Sequence, residues 1–155
     1  MSTNVSPHAP FTSVKSYLSW DHERLEHALD DARAHVQEEH MAEARHALDL
    51  YVGGLERHMR IEEELVFPVF EARSGMSGGP TTVLRDEHRT IRVALAMMRE
   101  GVARGDGAGF RAGLRYLETI LPEHNAKEEH VLYPTTDRLL TPAERSTLTR
   151  RLVRE

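Results

Sequence analysis

The sequence predicts an all-α protein, an up-down four-helix bundle with a short fifth helix at its C-terminus, on three observations. Long stretches are built from Ala, Leu, Glu and Arg, good helix formers, with no alternating Val/Ile/Thr run that would read as a strand. Apolar residues recur in steps of three and four along four such stretches. Helix breakers are concentrated in a Pro-containing tail to Pro10, in the stretch from Ser74 to Pro80, from Gly101 to Gly109, and at Thr141-Pro142.

Five helices are expected in order. The first runs from near Ser13 or Ser19 to near Glu38 and places His22, Leu25, Leu29, Ala32 and Val36 on one face. The second runs from near Met41 to Ala72, with Leu48, Tyr51, Leu55, His58, Glu62, Leu65 and Val69 on its stripe. Gly53-Gly54 interrupts it at a cost of up to about 2 kcal/mol relative to two alanines, which points to a close helix crossing there. Pro80 suits the first turn of the third helix, whose stripe is Leu84, His88, Ile91, Leu95 and Met98. The fourth starts near Asp106 and carries Phe110, Leu114, Leu117, Leu121, His124, Glu128 and Val131. Thr141-Pro142-Ala143-Glu144 reads as a capping box opening the last helix, with Leu148 and Leu152 on its apolar side.

The chain has 155 residues, room for one domain with a good core and too few for two. Net charge is −5 and no basic patch stands out, so no nucleic-acid partner is expected. Cysteine is absent, which removes disulfides, iron–sulfur clusters, thiolate zinc sites and thiol nucleophiles together. A metal must therefore be held by His and carboxylate. No run of 18 apolar residues exists, and Met1 to Phe11 lacks the charged start and apolar stretch of a signal peptide. The expectation is a cytoplasmic protein with no membrane partner, a monomer or weak oligomer. Ten histidines are a high share for the residue whose neutral form is the commonest metal ligand.

One internal offset aligns the unusual residues: 66 positions separate His22 from His88, His58 from His124 and Glu62 from Glu128. The apolar stripe obeys the same offset, pairing Leu25 with Ile91, Leu29 with Leu95, Leu48 with Leu114, Leu55 with Leu121, Leu65 with Val131 and Pro68 with Pro134. The bundle reads as a duplicated helix pair, each half carrying one His on its first helix and His-x-x-x-Glu on its second. Five histidines have an acid four residues on. For His22-Glu26, His27-Asp31 and His35-Glu39 a helix-surface pair worth about 0.2–0.5 kcal/mol explains the spacing.

The pairs His58/Glu62 and His124/Glu128 differ, because they interrupt stripes otherwise made of Leu, Val and Phe. An inward carboxylate without a partner costs several kcal/mol and demands a cation. Two carboxylates and four imidazoles converging from four helices suit two divalent or trivalent ions; a buried hydrogen-bond network is the competing reading. Helix geometry chooses between adjacent acids. Four residues turn about 400° and displace a side chain by only about 40°, whereas five leave a displacement of about 140°. Glu62 and Glu128 should face in, and Glu63 and Glu129 should not. His130, His27, His35, His40 and His46 fall off the stripes or lack a repeat partner and are expected at the surface.

In this arrangement the chain resembles the hemerythrin-like, or HHE cation-binding, domain family. The resemblance rests on His22, on His58/Glu62 followed by Phe67-Pro68, on His88, and on His124/Glu128 followed by Tyr133-Pro134, and it covers about residues 11–140. It implies a hemerythrin-like di-iron domain over 12–140, with a flexible tail at 1–11 and the short C-terminal helix at 141–155. It also implies two non-haem iron ions with an oxo or hydroxo bridge, held by His22, His58, Glu62, His88, His124 and Glu128, with the two glutamates bridging and two histidines capping each iron. The N/O donor set would equally accept zinc or manganese, so iron rests on the family.

The chain departs from the family's invertebrate oxygen carriers. Their third helix supplies two histidines four apart, where Arg92 stands here; their fourth uses a His and an Asp five apart, where Glu129 stands here. Six protein ligands rather than seven would leave an open position on each iron, which suits peroxide or nitric oxide better than reversible oxygenation. The pattern also resembles the di-iron domain of the family's iron–sulfur repair proteins, whose additional cysteine-bearing segment has no counterpart here. The resemblance thus implies a centre for peroxide, dioxygen or nitric oxide. Catalase-like turnover of hydrogen peroxide is favoured, and a sensor, scavenger or iron store without turnover is the alternative. Tyr51, on the stripe, is a candidate either to approach the irons or to pack in the core.

Overall fold

The structure, a computed structural model, describes residues 11–155. The expected tail therefore lies outside the described residues except for Phe11, which packs its ring 5.2 Å from those of Tyr17 and Trp20. Eight helical segments form four rods and an appended helix: α1 (Val14–Gln37), α2 (Met41–Ile61), α3 (Phe67–Ser74), α4 (Pro80–Ala103), α5 (Gly107–Glu118), α6 (Leu121–Lys127), α7 (Tyr133–Leu139) and α8 (Pro142–Arg154). Glu62–Val66 joins α2 to α3, and Glu128–Leu132 joins α6 to α7, each as one widened π-helical turn inside a continuous rod. No strand occurs among the described residues, and no helix there is long and apolar enough to cross a membrane.

Local chemistry accounts for the ends. Ser13 opens α1 with a capping box, its hydroxyl accepting from the Ser16 amide at 3.0 Å. The Asp137 carboxylate, from α7, accepts from the amides of Val14 and Lys15 at 2.9 and 3.1 Å, placing a negative charge at the positive end of the α1 dipole. Thr141 and Glu144 form the capping box expected at α8.

Rods pack as two hairpins, α1 on α2 and α4 on α5, joined face to face through α2 on α4, α1 on α7 and α3 on α7. Close approach is required at Gly54, where an added Cβ would lie 2.7 Å from Leu25 Cδ2; Gly53 meets nothing within 4 Å and is not part of the crossing. Two apolar clusters fill the bundle. One gathers Leu25, Leu29, Leu55, Leu95, Met98 and Leu117; the other gathers Val14, Leu18, Ile61, Phe67, Leu132 and Tyr133. The buried His and Glu residues come between them along each rod.

The fourth rod corrects the expected uninterrupted helix. It breaks at Thr119–Ile120 and restarts with Pro122 in the first turn of α6. Its π turn then rotates the facing of every residue downstream. Val131, expected on the stripe, is 55% exposed, while Leu132 and Tyr133 are buried. The amide of Phe67 bonds back to the Glu62 carbonyl and that of Tyr133 to the Glu128 carbonyl, five residues rather than four. Pro68 and Pro134, each just after its π turn, lack the N–H that regular α-helical bonding would use there.

Candidate metal centre

Each rod delivers its residues to one level of the bundle: His22 from α1, His58 and Glu62 from the second rod, His88 from α4, and His124 and Glu128 from the fourth. All six are buried, with His22 the most exposed at 8%. Their donor atoms fall into two groups. His22, His58, Glu62 and Glu128 form a first site; His88, His124, Glu62 and Glu128 form a second, so both carboxylates are shared. In every histidine it is Nε2 that faces the carboxylates: His58 Nε2 lies 3.3 Å from Glu62 Oε1, His88 Nε2 3.3 Å from Glu62 Oε2, and His124 and His22 Nε2 lie 3.1 and 3.5 Å from Glu128 Oε1.

The opposite nitrogens show why this arrangement suits a cation. Each Nδ1 lies at hydrogen-bond distance from an outer carboxylate: His58 from Asp21 (2.9 Å), His88 from Glu63 (2.7 Å), His124 from Glu87 (2.8 Å) and His22 from Glu129 (2.8 Å). A neutral imidazole that donates from Nδ1 presents a lone pair at Nε2. Four lone pairs then converge on two buried carboxylates. Glu62 Oε2, both oxygens of Glu128 and His88 Nε2 have no hydrogen-bond partner. Buried acceptors facing acceptors are satisfied by a positive ion between them, so the donor set fits two metal ions.

Without metal, protons take that role. Burial opposes a charged His58, but the Glu62 carboxylate and the bond to Asp21 outweigh it and push His58 up to about 10. Burial is likewise overcome at His124, which Glu128 pushes up to about 9. Burial would raise Glu62, yet His58 and His88 hold it well below the usual carboxylate range.

Sequence reasoning placed Glu63 and Glu129 away from the inner cluster, and they do stay out of it. Their side chains are 26% and 32% exposed, yet they orient His88 and His22, as Asp21 and Glu87 orient His58 and His124. These four acids went unrecognised, although the signal was present: 66 positions separate Asp21 from Glu87 and Glu63 from Glu129. Three of them carry a cation of their own, Arg24 on Asp21 (2.7 Å), Arg92 on Glu63 (3.0 Å) and Lys127 on Glu87. Arg92, standing where the oxygen carriers have histidine, thus braces the acid that braces His88. Among the described residues Glu129 has no Lys or Arg partner.

A model of the hemerythrin HHE cation binding domain matches residues 16–136, which include all six inner residues and all four outer acids. The chain belongs to that family. No curated protein and no solved structure matches it at a significant level.

Around the centre of this hemerythrin-like domain the two halves are unlike. Phe67 stacks on His88 with centroids 5.6 Å apart. Its repeat counterpart Tyr133 donates its hydroxyl to Glu62 Oε1 and lies 3.3 and 3.4 Å from the Nε2 atoms of His58 and His22. Tyr133, and not Tyr51, is the tyrosine at the centre. The Tyr51 hydroxyl is buried without a hydrogen-bond partner and lines a cleft of about 520 Å³, together with His22, Leu25, Leu29, Leu55, Leu117, Leu121 and Glu129. Glu26 lies on the rim of the same cleft, and His130 is exposed there as expected.

Proposed function

We propose that this hemerythrin-like domain holds two iron ions through His22, His58, Glu62, His88, His124 and Glu128 and binds small oxygen or nitrogen species, hydrogen peroxide being the favoured substrate of a catalase-like reaction. The observation that carries the reading is the convergence of four imidazole Nε2 atoms on two fully buried carboxylates that lack partners for most of their oxygens. Bound iron would supply Lewis acidity and reversible one-electron chemistry. The chain itself would do the rest. Glu62 and Glu128 neutralise charge at both sites, the outer acids fix each imidazole in one orientation, and the apolar cluster around Phe67 and Leu132 excludes water from one end of the centre. Access runs through the cleft to His22. The free Tyr51 hydroxyl can donate a hydrogen bond to a small molecule inside the cleft.

The leucines that line part of that cleft favour a second reading, a sensor or scavenger of dioxygen or nitric oxide, since uncharged diatomic molecules pass readily along apolar surface. One experiment separates the two. Iron-loaded protein is analysed for metal and mixed with peroxide while dioxygen is monitored. Sustained dioxygen release supports the enzyme. A saturable spectral change without release supports the binding protein, and one iron or none per chain overturns the two-iron reading on which both rest.

A further inference from the structure

Tyr133 is set among the same atoms that form the first site. Its hydroxyl oxygen is hydrogen-bonded to Glu62 Oε1 and stands 3.3 Å from His58 Nε2 and 3.4 Å from His22 Nε2. Donors bound to one ion at about 2.1 Å lie about 3.0 Å apart at right angles and about 3.4 Å apart at tetrahedral angles. The two His58 and His22 spacings fall within that range. They match the neighbouring His58 Nε2 to Glu62 Oε1 separation of 3.3 Å, which belongs to two residues of the inner six. A hydroxyl that only filled space in the core would have no reason to meet three donor atoms of one site at once.

The π turn accounts for this placement. By bonding its amide to the Glu128 carbonyl, Tyr133 enters the bundle directly beyond Glu128 rather than about 140° away from it. Phe67 takes the same place beyond Glu62 and brings no donor atom to the second site. We infer that the Tyr133 hydroxyl is a further, phenolic ligand of the ion held by His22 and His58, with no equivalent on the ion held by His88 and His124. The inference rests on the proposed two-iron reading and deepens it, because it makes the two ions chemically distinct. Coordination to ferric iron forms an Fe–O bond, breaks the phenolic O–H and releases one proton to solvent, with no change of oxidation state. Tyr133 packs with Phe67 and Leu132 at one end of the centre, whereas the cleft reaches it from the end of Leu55 and Leu117.

The test is the colour of the ferric-loaded full chain, with iron counted separately. A phenolate bound to ferric iron gives a charge-transfer band in the visible, and resonance Raman excitation in that band enhances tyrosine ring modes. Wild type should show both, and Tyr133→Phe should lose both while keeping two irons and its helicity. The chain has four tyrosines, so the triple variant Tyr17→Phe, Tyr51→Phe, Tyr116→Phe should keep the band and serves if Tyr133→Phe does not load. A wild-type protein with two irons and no phenolate band overturns the inference and leaves the two-iron reading intact. A band that survives in Tyr133→Phe, or disappears in the triple variant, also overturns it. A wild type that takes up no iron overturns the parent reading and this inference with it.

Discussion

The two halves of the duplicated bundle present the same His/Glu donors in different surroundings. At the second site, His88 is fully buried beneath Phe67, and its supporting acid Glu63 is itself held by Arg92; Glu87, which supports His124, is held by Lys127. At the first site, His22 reaches the wall of a cleft, its supporting acid Glu129 has no basic partner among the described residues, and the aromatic beyond the carboxylate is a tyrosine. Duplication supplies the ligands in pairs, while the shell around them decides which site meets solvent. The second site is enclosed by Phe67 and by acids that are themselves paired, and the first borders the cleft.

The largest expected effect would erase that difference. Glu62 and Glu128 belong to both donor groups, so Glu62→Ala or Glu128→Ala should empty both sites, taking bound metal from two ions to none by elemental analysis. Loss of a single ion in either variant would show that the carboxylates are not shared. Removing the ions by chelation should destabilise the fold, because a ligand present at 100 times its Kd stabilises by about 2.7 kcal/mol. That corresponds to a fall in melting temperature of roughly 5–10 °C for a chain of this size. Equal melting temperatures with and without metal would remove the metal from the stability of the bundle.

Acidity separates the loaded and metal-free forms by sign. His58 and His124 are raised to about 10 and about 9 in the metal-free fold, against about 6.5 when unfolded. Their contribution is therefore complete below about pH 6.5 and lost as pH climbs through 9 to 10. Glu62, held low, contributes above about pH 4.5, and that stability is lost on acidification. Metal-free protein should thus be most stable between these limits and weaken toward pH 9 in thermal melts. Metal binding needs deprotonated imidazoles, so metal affinity should rise over the same interval. Parallel pH trends of metal-free stability and metal affinity would contradict this assignment of protons.

Smaller effects sharpen the comparison of the two sites. Loss of an acid that orients a metal-bound imidazole typically costs 10–100-fold in affinity. Asp21→Asn, which removes a carboxylate only 1% exposed, should lie near the upper end, and Glu129→Gln, a third exposed at the cleft, near the lower end. Titration of each variant with ferrous iron reads this directly, and equal losses would mean that burial does not grade the support. His130→Ala, exposed on the cleft rim, should leave iron content at two; its effect is confined to the rate of ligand binding, followed by stopped flow.

Much of the centre was legible because period and repetition are local properties of a chain. A side chain's face on an α-helix depends only on its residue number, so the 66-residue offset, the six inner residues and the all-helical fold could be read without knowing any contact. The same rule misplaced Val131, which lies inside the π turn of the fourth rod and is exposed while the following Leu132 and Tyr133 are buried. The supporting role of Arg92 and the four outer acids was not legible for a related reason. Each of these acids holds an imidazole from another rod, and no spacing within one helix encodes which rod lies alongside. By itself the sequence determined which residues face the inside of the bundle with a nitrogen or oxygen to offer. Only the packing of the rods decided which nitrogen each histidine turns inward, which site opens to the cleft and which tyrosine reaches it, because those depend on distances between segments far apart in the chain.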